Sequence, residues 1–213
     1  MNHYDIITFD CYGTLIDWKS GIRDAFARAG LDADAALDAY NRVEPAVQSE
    51  TYRRYRDVLT ATAMRVAEAL HQPIKDGSFL AESLPTWRPF DDTNPALERM
   101  HDAGIKIGIL SNIDDDLLAE TVKHFTVDID LIVTAQQVRS YKPGHAHFTA
   151  ARERIGDARW LHAAQSNFHD IVPTNQLGID NAWINRHGDP ALEGGRPKFE
   201  YRNLAALAAA VTG

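Results

Sequence analysis

Short runs of hydrophobic residues recur along the chain and are separated by longer, more polar stretches. Five of these runs lack the alternation of a half-exposed strand, which is typical of strands buried on both faces of a parallel sheet. The five predicted strands are Tyr4 to Phe9, Ile105 to Leu110, Leu131 to Ala135, Trp160 to Gln165 and Ala182 to Asn185.

Helical patterns lie between these runs, so strand and helix alternate from Ile105 onward. The predicted helices are Pro95 to Ala103, Asp115 to His124, His145 to Arg154, Val172 to Leu177 and a closing helix from Leu204 to Val211. Repeated βα units predict an α/β fold built on a doubly wound parallel sheet. In such a sheet, polar residues at the carboxyl ends of the strands meet in one crevice.

The segment between Ile16 and Trp87 lacks the strand pattern. Its apolar residues are spaced as in helices at Gly21 to Ala29, Ala35 to Val47 and Tyr52 to Leu70, and Pro73 ends the last run. We interpret residues 16–87 as a helical cap domain inserted into a catalytic core of residues 1–15 and 88–213. The alternative is that these helices belong to the core itself.

Composition narrows the class of protein. A chain of 213 residues that is 45% hydrophobic can bury one full core and a small accessory unit. The net charge of −8 and the lack of a dense Lys and Arg block disfavour nucleic acid as a partner. Without a signal peptide or a long apolar run, we expect a cytoplasmic protein that does not enter membranes.

Candidate chemistry follows the predicted strands. Asp10 ends the first strand just before Gly13, whose conformational freedom permits a tight turn, so this partly desolvated carboxylate can act as a nucleophile. Ser111 and Asn112 end the second strand, where a hydroxyl and an amide can hold an oxyanion. Alone, each feature has an ordinary explanation as a turn or a helix cap.

Two further groups complete the set. Lys142 follows the third strand in a turn stiffened by Pro143, and Asp170 follows the fourth strand. A lone loop lysine is usually solvated, and an aspartate there can simply cap a helix. Their joint occurrence at successive strand ends predicts a nucleophile, oxyanion donors, a cation and a second carboxylate in one crevice.

These residues lie in segments that resemble the four motifs of the haloacid dehalogenase superfamily. The segments are FDCYGTL from Phe9, LSN from Leu110, YKP from Tyr141 and SNFHD from Ser166. The resemblance implies a Rossmann-like core, and the helical insertion resembles the superfamily's cap.

Position 12 bears on the subfamily. Phosphoryl-transferring members carry a second Asp where this chain has Tyr12, and that Asp protonates the leaving oxygen. A departing halide needs no proton, and the Asp-x-Tyr-Gly-Thr pattern resembles the L-2-haloacid dehalogenases. Gln165 replaces an acidic magnesium ligand of the phosphatases, so we expect no metal and no cofactor. The resemblance implies a small anionic 2-haloalkanoate as substrate and a homodimer.

The resemblance also implies roles for single residues. Asp10 would form an aspartyl ester and Lys142 would hold its charge, while Asn167 and Asp170 would direct water onto the ester. Thr14 would position the nucleophile. The predicted substrate contacts are Tyr12, Ser111, Asn112, Ser166 and Arg42, with Arg53 and Arg54 as competitors of Arg42 for the halide.

Three positions depart from the dehalogenase pattern, namely Gln165, Phe148 and His169. Two other interpretations therefore stay open. One is a Mg²⁺-dependent small-molecule phosphatase of the same superfamily, and the other is a relative that binds without catalysis.

Overall fold

The computed structural model describes residues 4–213. Its strands are β1 (Ile6–Phe9), β2 (Lys106–Ser111), β3 (Leu131–Thr134), β4 (Trp160–Ala164), β5 (Asp180–Ile184) and β6 (Phe199–Tyr201). They form one parallel sheet in the order β3-β2-β1-β4-β5-β6. The doubly wound α/β fold is confirmed, and each of the five predicted strands overlaps an observed one.

The strand β6 was not predicted. It has three residues at the edge of the sheet, pairs only with β5 among the described strands, and has no fully buried side chain. A segment this short and this exposed carries no hydrophobic run for a sequence pattern to detect.

Helices alternate with the strands as predicted, and the two short helices Phe79–Ser83 and Ala135–Val138 were missed. The helices are α1 (Trp18–Arg28), α2 (Ala33–Gln48), α3 (Tyr55–Ala69), α4 (Phe79–Ser83), α5 (Thr93–Asp102), α6 (Asp115–Thr121), α7 (Ala135–Val138), α8 (Ala146–Ile155), α9 (Val172–Gln176) and α10 (Leu204–Thr212). None of the helices in residues 4–213 combines the length and hydrophobicity needed to cross a bilayer.

Successive residues of the central strands face two different hydrophobic clusters. Ile7 of β1 packs with α5 and α10, whereas its neighbour Ile6 packs in a second cluster with Phe148 of α8. Helices therefore cover both faces of the sheet, which explains why the strands show no alternation of polar and apolar residues.

The helices α1 to α4 pack on one another and follow β1 directly. The chain enters and leaves this segment side by side. The backbone N–H of Asp17 donates to the carbonyl of Arg88 at 2.9 Å, and that of Phe90 donates to Leu15 at 3.0 Å. The division into a cap of residues 16–87 and a core stays a prediction.

Candidate active site

Asp10 is the first residue after β1 and is buried. Gly13 has a positive φ of 101°, and the turn that it permits returns Thr14 to the carboxylate. The Thr14 hydroxyl donates to Asp10 Oδ2 at 3.0 Å and accepts from the backbone N–H of Gln165 at 2.9 Å. The hydroxyl therefore fixes the orientation of the Asp10 carboxylate.

Lys142 lies between two carboxylates. Its Nζ donates to Asp10 Oδ1 at 2.9 Å, to Asp170 Oδ1 at 2.6 Å and to the carbonyl of Leu110 at 2.8 Å. Three acceptors use all three N–H groups of an ammonium. Burial alone would lower the pKa of Lys142, but Asp10 and Asp170 outweigh it and raise the pKa above its ordinary value. The lysine is thus a fixed cation.

The two carboxylates respond differently to this cation. Burial raises the pKa of Asp10, and the charge of Lys142 only partly offsets that effect. Burial acts on Asp170 too, but there Lys142 and His162 prevail and hold the pKa of Asp170 well below its usual range. Asp170 is therefore a firm anion, while Asp10 is a poorly solvated carboxylate, the more reactive of the two.

A buried chain of hydrogen bonds supports Asp170 from below. The Trp160 indole N–H donates to Thr8 Oγ1 at 2.7 Å, Thr8 Oγ1 lies 2.8 Å from His162 Nδ1, and His162 Nε2 lies 3.0 Å from Asp170 Oδ1. Because the ionised Asp170 carboxylate can only accept, the hydrogen bond between them is donated by His162 Nε2.

Phe148 packs edge-on against the His162 ring, with centroids 5.3 Å apart and an interplanar angle of 87°. Position 148 is one of the three departures from the dehalogenase pattern, which leads us to expect a Tyr there. Phe148 offers no hydroxyl, and the second donor to Asp170 beside Lys142 is His162.

The carboxyl end of β2 contributes Ser111 and Asn112. The Asn112 side chain forms two hydrogen bonds with the backbone of Lys142, donating to its carbonyl at 3.0 Å and accepting from its N–H at 2.7 Å. Asn112 thus holds the loop that carries the cation, in addition to lining the cavity described next.

A cavity of 280 Å³ lies above Asp10, between the sheet edge and the helices that follow β1. Its volume suits a small molecule. The residues that line it are Asp10, Tyr12, Trp18, Tyr40, Glu44, Gln48, Tyr55, Leu84, Trp87, Ser111, Asn112, Ile113, Lys142, Gln165, Ser166, His169 and Asp170.

Most of the predicted site residues come together here. Seven of them line the cavity, namely Asp10, Tyr12, Ser111, Asn112, Lys142, Ser166 and Asp170. Thr14 contacts Asp10 from outside it. Asn167 is not among the lining residues, and its side chain instead donates to the carbonyl of Gly195 at 2.8 Å and accepts from the N–H of Leu192 at 3.2 Å.

The structure does not place Arg42 in the cavity. Arg42 is exposed on α2, two residues beyond the buried Tyr40, and a helix turns by about 200° over two residues. Arg53 pairs with Glu50, and Arg54 donates to Asp116 at 2.8 Å. Among residues 4–213 the cavity lining includes no arginine.

Sequence reasoning missed the polar face of α2. Tyr40, Glu44 and Gln48 line the cavity, and their i, i+4, i+8 spacing places them on one side of the helix. That spacing could have indicated a binding site, because polar residues aligned on the otherwise apolar face of a helix are buried and need hydrogen-bond partners.

Gln165, Ser166 and His169 form the side of the cavity next to β4. The Ser166 hydroxyl lies 3.0 Å from His169 Nδ1 and accepts from the His169 backbone N–H at 3.1 Å. Burial lowers the pKa of His169, so its ring is neutral in the cavity near pH 7.

The residues present do not match a magnesium site. Gln165 occupies the position at which the resemblance to the phosphatases leads us to expect an acidic magnesium ligand, and Mg²⁺ favours carboxylate ligands. Within the described part of the chain, no three His, Cys, Asp or Glu side chains are grouped closely enough to hold a metal ion.

The chain is similar to curated dehalogenases along nearly its whole length. It is 27% identical over 219 residues to an (S)-2-haloacid dehalogenase of Pseudomonas sp. (strain YL), which covers 97% of this chain and 94% of the relative. It is 26% identical over 206 residues to (S)-2-haloacid dehalogenase 4A of Burkholderia cepacia, covering 92% of this chain and 87% of the relative.

Solved structures have the same fold. The L-2-haloacid dehalogenase of Xanthobacter autotrophicus superposes with a TM-score of 0.83 at 21% identity, covering 99% of each chain. Another L-2-haloacid dehalogenase superposes with a TM-score of 0.88 at 21% identity over the full length of both chains. Residues 4–164 match the haloacid dehalogenase-like hydrolase family, and the chain belongs to that family.

Proposed function

We propose that this protein hydrolyses the carbon–halogen bond of a short 2-haloalkanoic acid and yields the 2-hydroxy acid through an ester on Asp10. The observation that carries the proposal is the Asp10 carboxylate, oriented by Lys142 and Thr14 beneath a small cavity, with Tyr12 where an acid for phosphoryl transfer would stand. The names of the curated relatives support the same reaction class.

In the first step, an oxygen of Asp10 attacks the substrate carbon from the side opposite the halogen. The new C–O bond forms as the carbon–halogen bond breaks, and the halide leaves with the bonding electron pair. Lys142 orients Asp10 and stabilises its negative charge, and Ser111, which lines the cavity at the end of β2, binds the substrate carboxylate.

In the second step, water attacks the ester carbonyl of Asp10, which releases the hydroxy acid and restores the carboxylate. Asp170 lines the cavity, and its Oδ1 is held by Lys142 and His162. Its Oδ2 is buried and has no hydrogen-bond partner among the described residues, so it can accept a hydrogen bond from that water and direct it onto the ester.

The direct test is halide release from chloroacetate, bromoacetate and L-2-chloropropionate, with and without EDTA. We expect release in both conditions and none from Asp10→Asn, because the attack needs a carboxylate and no phosphate charge requires a metal. Activity that EDTA abolishes and Mg²⁺ restores, together with hydrolysis of p-nitrophenyl phosphate, would instead establish the phosphatase.

The covalent route has its own test. With enzyme in excess over substrate in ¹⁸O-water, the hydroxy acid should stay unlabelled and the peptide bearing Asp10 should gain mass. Asp170→Asn should slow ester hydrolysis more than ester formation, so that the adduct on Asp10 accumulates. Labelled hydroxy acid with an unlabelled peptide would mean that water attacks the substrate carbon directly.

A further inference from the structure

The helical side of the cavity carries a carboxyl group where the dehalogenase resemblance leads one to expect a cation. Glu44 of α2 lines the cavity opposite the sheet edge, and the lining includes no arginine among residues 4–213. A departing halide is an anion and needs a hydrogen-bond donor or a positive charge at the place it reaches.

The hydrogen bonds of Glu44 are one-sided. Glu44 Oε1 accepts from Gln48 Nε2 at 3.0 Å and from the Tyr55 hydroxyl at 3.3 Å. The Tyr40 hydroxyl lies 3.3 Å from that of Tyr55. Since Tyr55 gives its proton to Glu44, Tyr40 donates to Tyr55. Because Gln48 and Tyr55 both donate to Oε1, the proton of a neutral Glu44 lies on Oε2. Among the described residues, Oε2 has no hydrogen-bond partner.

The charge of the cavity depends on Glu44. Asp10 and Asp170 face a single cation, Lys142, from the sheet side. An ionised Glu44 would add a third carboxylate to the cavity lining and repel both an anionic substrate and a halide. Burial raises the pKa of Glu44 to about 7, while Tyr55 and Gln48 oppose this. A large protonated fraction is thus present near neutral pH.

We propose that Glu44 is a catalytic residue that acts in its protonated form and donates a hydrogen bond from Oε2 to the departing halide. The proton stays shared between Glu44 and the halide as the carbon–halogen bond breaks, and the electron pair leaves with the halide. This inference rests on the proposed function and assigns to a neutral acid the task that the resemblance assigned to Arg42.

The proposal sets a direction for the pH dependence. The rate of halide release falls as Glu44 ionises above about pH 7, because the donor is lost and a negative charge replaces it. Burial also raises the pKa of Asp10, but ionisation of Asp10 supplies the nucleophile and so changes the rate in the opposite direction. The pKa values of Tyr40, Tyr55 and Tyr141 are raised by burial, and that of His169 is lowered by it. The fixed pair of Lys142 and Asp170 keeps its charges.

The test compares Glu44→Gln and Glu44→Ala with wild type, using Glu68→Gln on the exposed side of α3 as the matched control. Single-turnover halide release is measured from about pH 6 to pH 8 with chloroacetate and bromoacetate. We expect Glu44→Ala to lose about 10²-fold with chloroacetate, at the low end for loss of one transition-state donor. The loss should be smaller with bromoacetate, because bromide leaves more easily and accepts weaker hydrogen bonds.

Glu44→Gln separates a chemical role from a structural one. Its amide cannot ionise, so we expect it to retain most of the activity and to lose the fall in rate above pH 7, whereas Glu68→Gln keeps the wild-type profile. If both Glu44 variants have the rate and the pH profile of wild type, or if Glu44→Ala is faster at every pH, the proposed role of Glu44 is wrong. Either result leaves the proposed function unaffected. A wild type that releases no halide and forms no Asp10 adduct would overturn the proposed function itself.

Discussion

Asp170 is held by two buried donors of different kinds. Lys142 supplies the charge, and His162 supplies a second hydrogen bond from within β4, backed by Thr8. Both donors reach the same oxygen, so the other oxygen keeps one fixed direction. The precision of the proposed water activation therefore depends on a histidine that does not line the cavity.

We predict that His162→Leu lowers the free energy of unfolding by about 2 kcal/mol, because it removes a buried hydrogen bond to a charged group. The variant should also accumulate the Asp10 ester, since Asp170 can rotate and direct water less well. Urea denaturation measures the first effect and mass spectrometry after mixing with chloroacetate the second. His162→Gln, which can still donate to Asp170, is the control. A loss of stability without adduct would limit His162 to a structural role.

The site residues at strand ends could be predicted from the sequence, whereas His162 could not. Asp10, Lys142 and Asp170 follow strands that the hydrophobic pattern identifies, and parallel strands bring their carboxyl ends together. His162 lies inside β4 and pairs with a residue eight positions later through an irregular turn of π-helix at Asn167–Ile171. Such a contact depends on the course of the turn, which strand periodicity does not encode.

At the scale of elements, the position of α1 depends on the close approach of Gly21 to the Trp87 ring. A Cβ built on Gly21 would lie 2.3 Å from Cγ of Trp87, far inside contact distance. Trp87 in turn lines the cavity and packs edge-on against Tyr12, with ring centroids 5.8 Å apart. The position of α1 and the shape of the cavity are therefore coupled.

We predict that Gly21→Ala lowers the free energy of unfolding by about 1–3 kcal/mol, the usual cost of overpacking a buried site. It should also weaken substrate binding, because the Trp87 ring must move. Asp24→Ala on the exposed side of α1 is the control and should stay within about 0.5 kcal/mol of wild type. Equilibrium urea denaturation and KM for chloroacetate measure the two effects, and an unchanged stability would contradict the tight contact.

Two helices begin at residues other than those predicted, because polar side chains bind the backbone N–H groups at their N-termini. The helix predicted from Gly21 begins at Trp18, because the Asp17 side chain accepts from the backbone N–H of Ser20 at 3.2 Å. The helix predicted from Tyr52 begins instead at Tyr55, where the Asp114 carboxylate accepts from its backbone N–H at 3.0 Å. The cap from Asp17 is local and can be predicted from the sequence, whereas Asp114 lies 59 residues away from the helix that it caps.

At the scale of the whole molecule, two buried groups make stability depend on pH in opposite directions. Burial and nearby Lys142 lower the pKa of His147 to about 3 from its ordinary 6.5, so its contribution is lost as pH falls below 6.5. Burial raises the pKa of Glu44 from 4.5 to about 7, so its contribution is complete below 4.5 and is lost as pH rises to about 7.

We therefore predict that these two contributions nearly cancel between about pH 4.5 and 6.5. His147→Gln should be relatively more stable at the acid end of this range, and Glu44→Gln relatively less stable there. Each should differ from wild type by a slope of up to about 1.4 kcal/mol per pH unit. Urea denaturation at three pH values measures the slopes. Parallel stability curves for wild type and both variants would show that neither group titrates as described.

Two tryptophans at the cavity should make the intrinsic fluorescence of the protein sensitive to binding. Trp18 and Trp87 line the space above Asp10, while Trp160 and Trp183, the other two in the sequence, lie outside the described lining. Their ultraviolet emission should change as the space fills, and a heavy halide such as bromide should quench it by contact. Tryptophan fluorescence can thus measure occupancy of the cavity in Asp10→Asn, where no turnover occurs. Trp18→Phe and Trp87→Phe show which of the two rings responds.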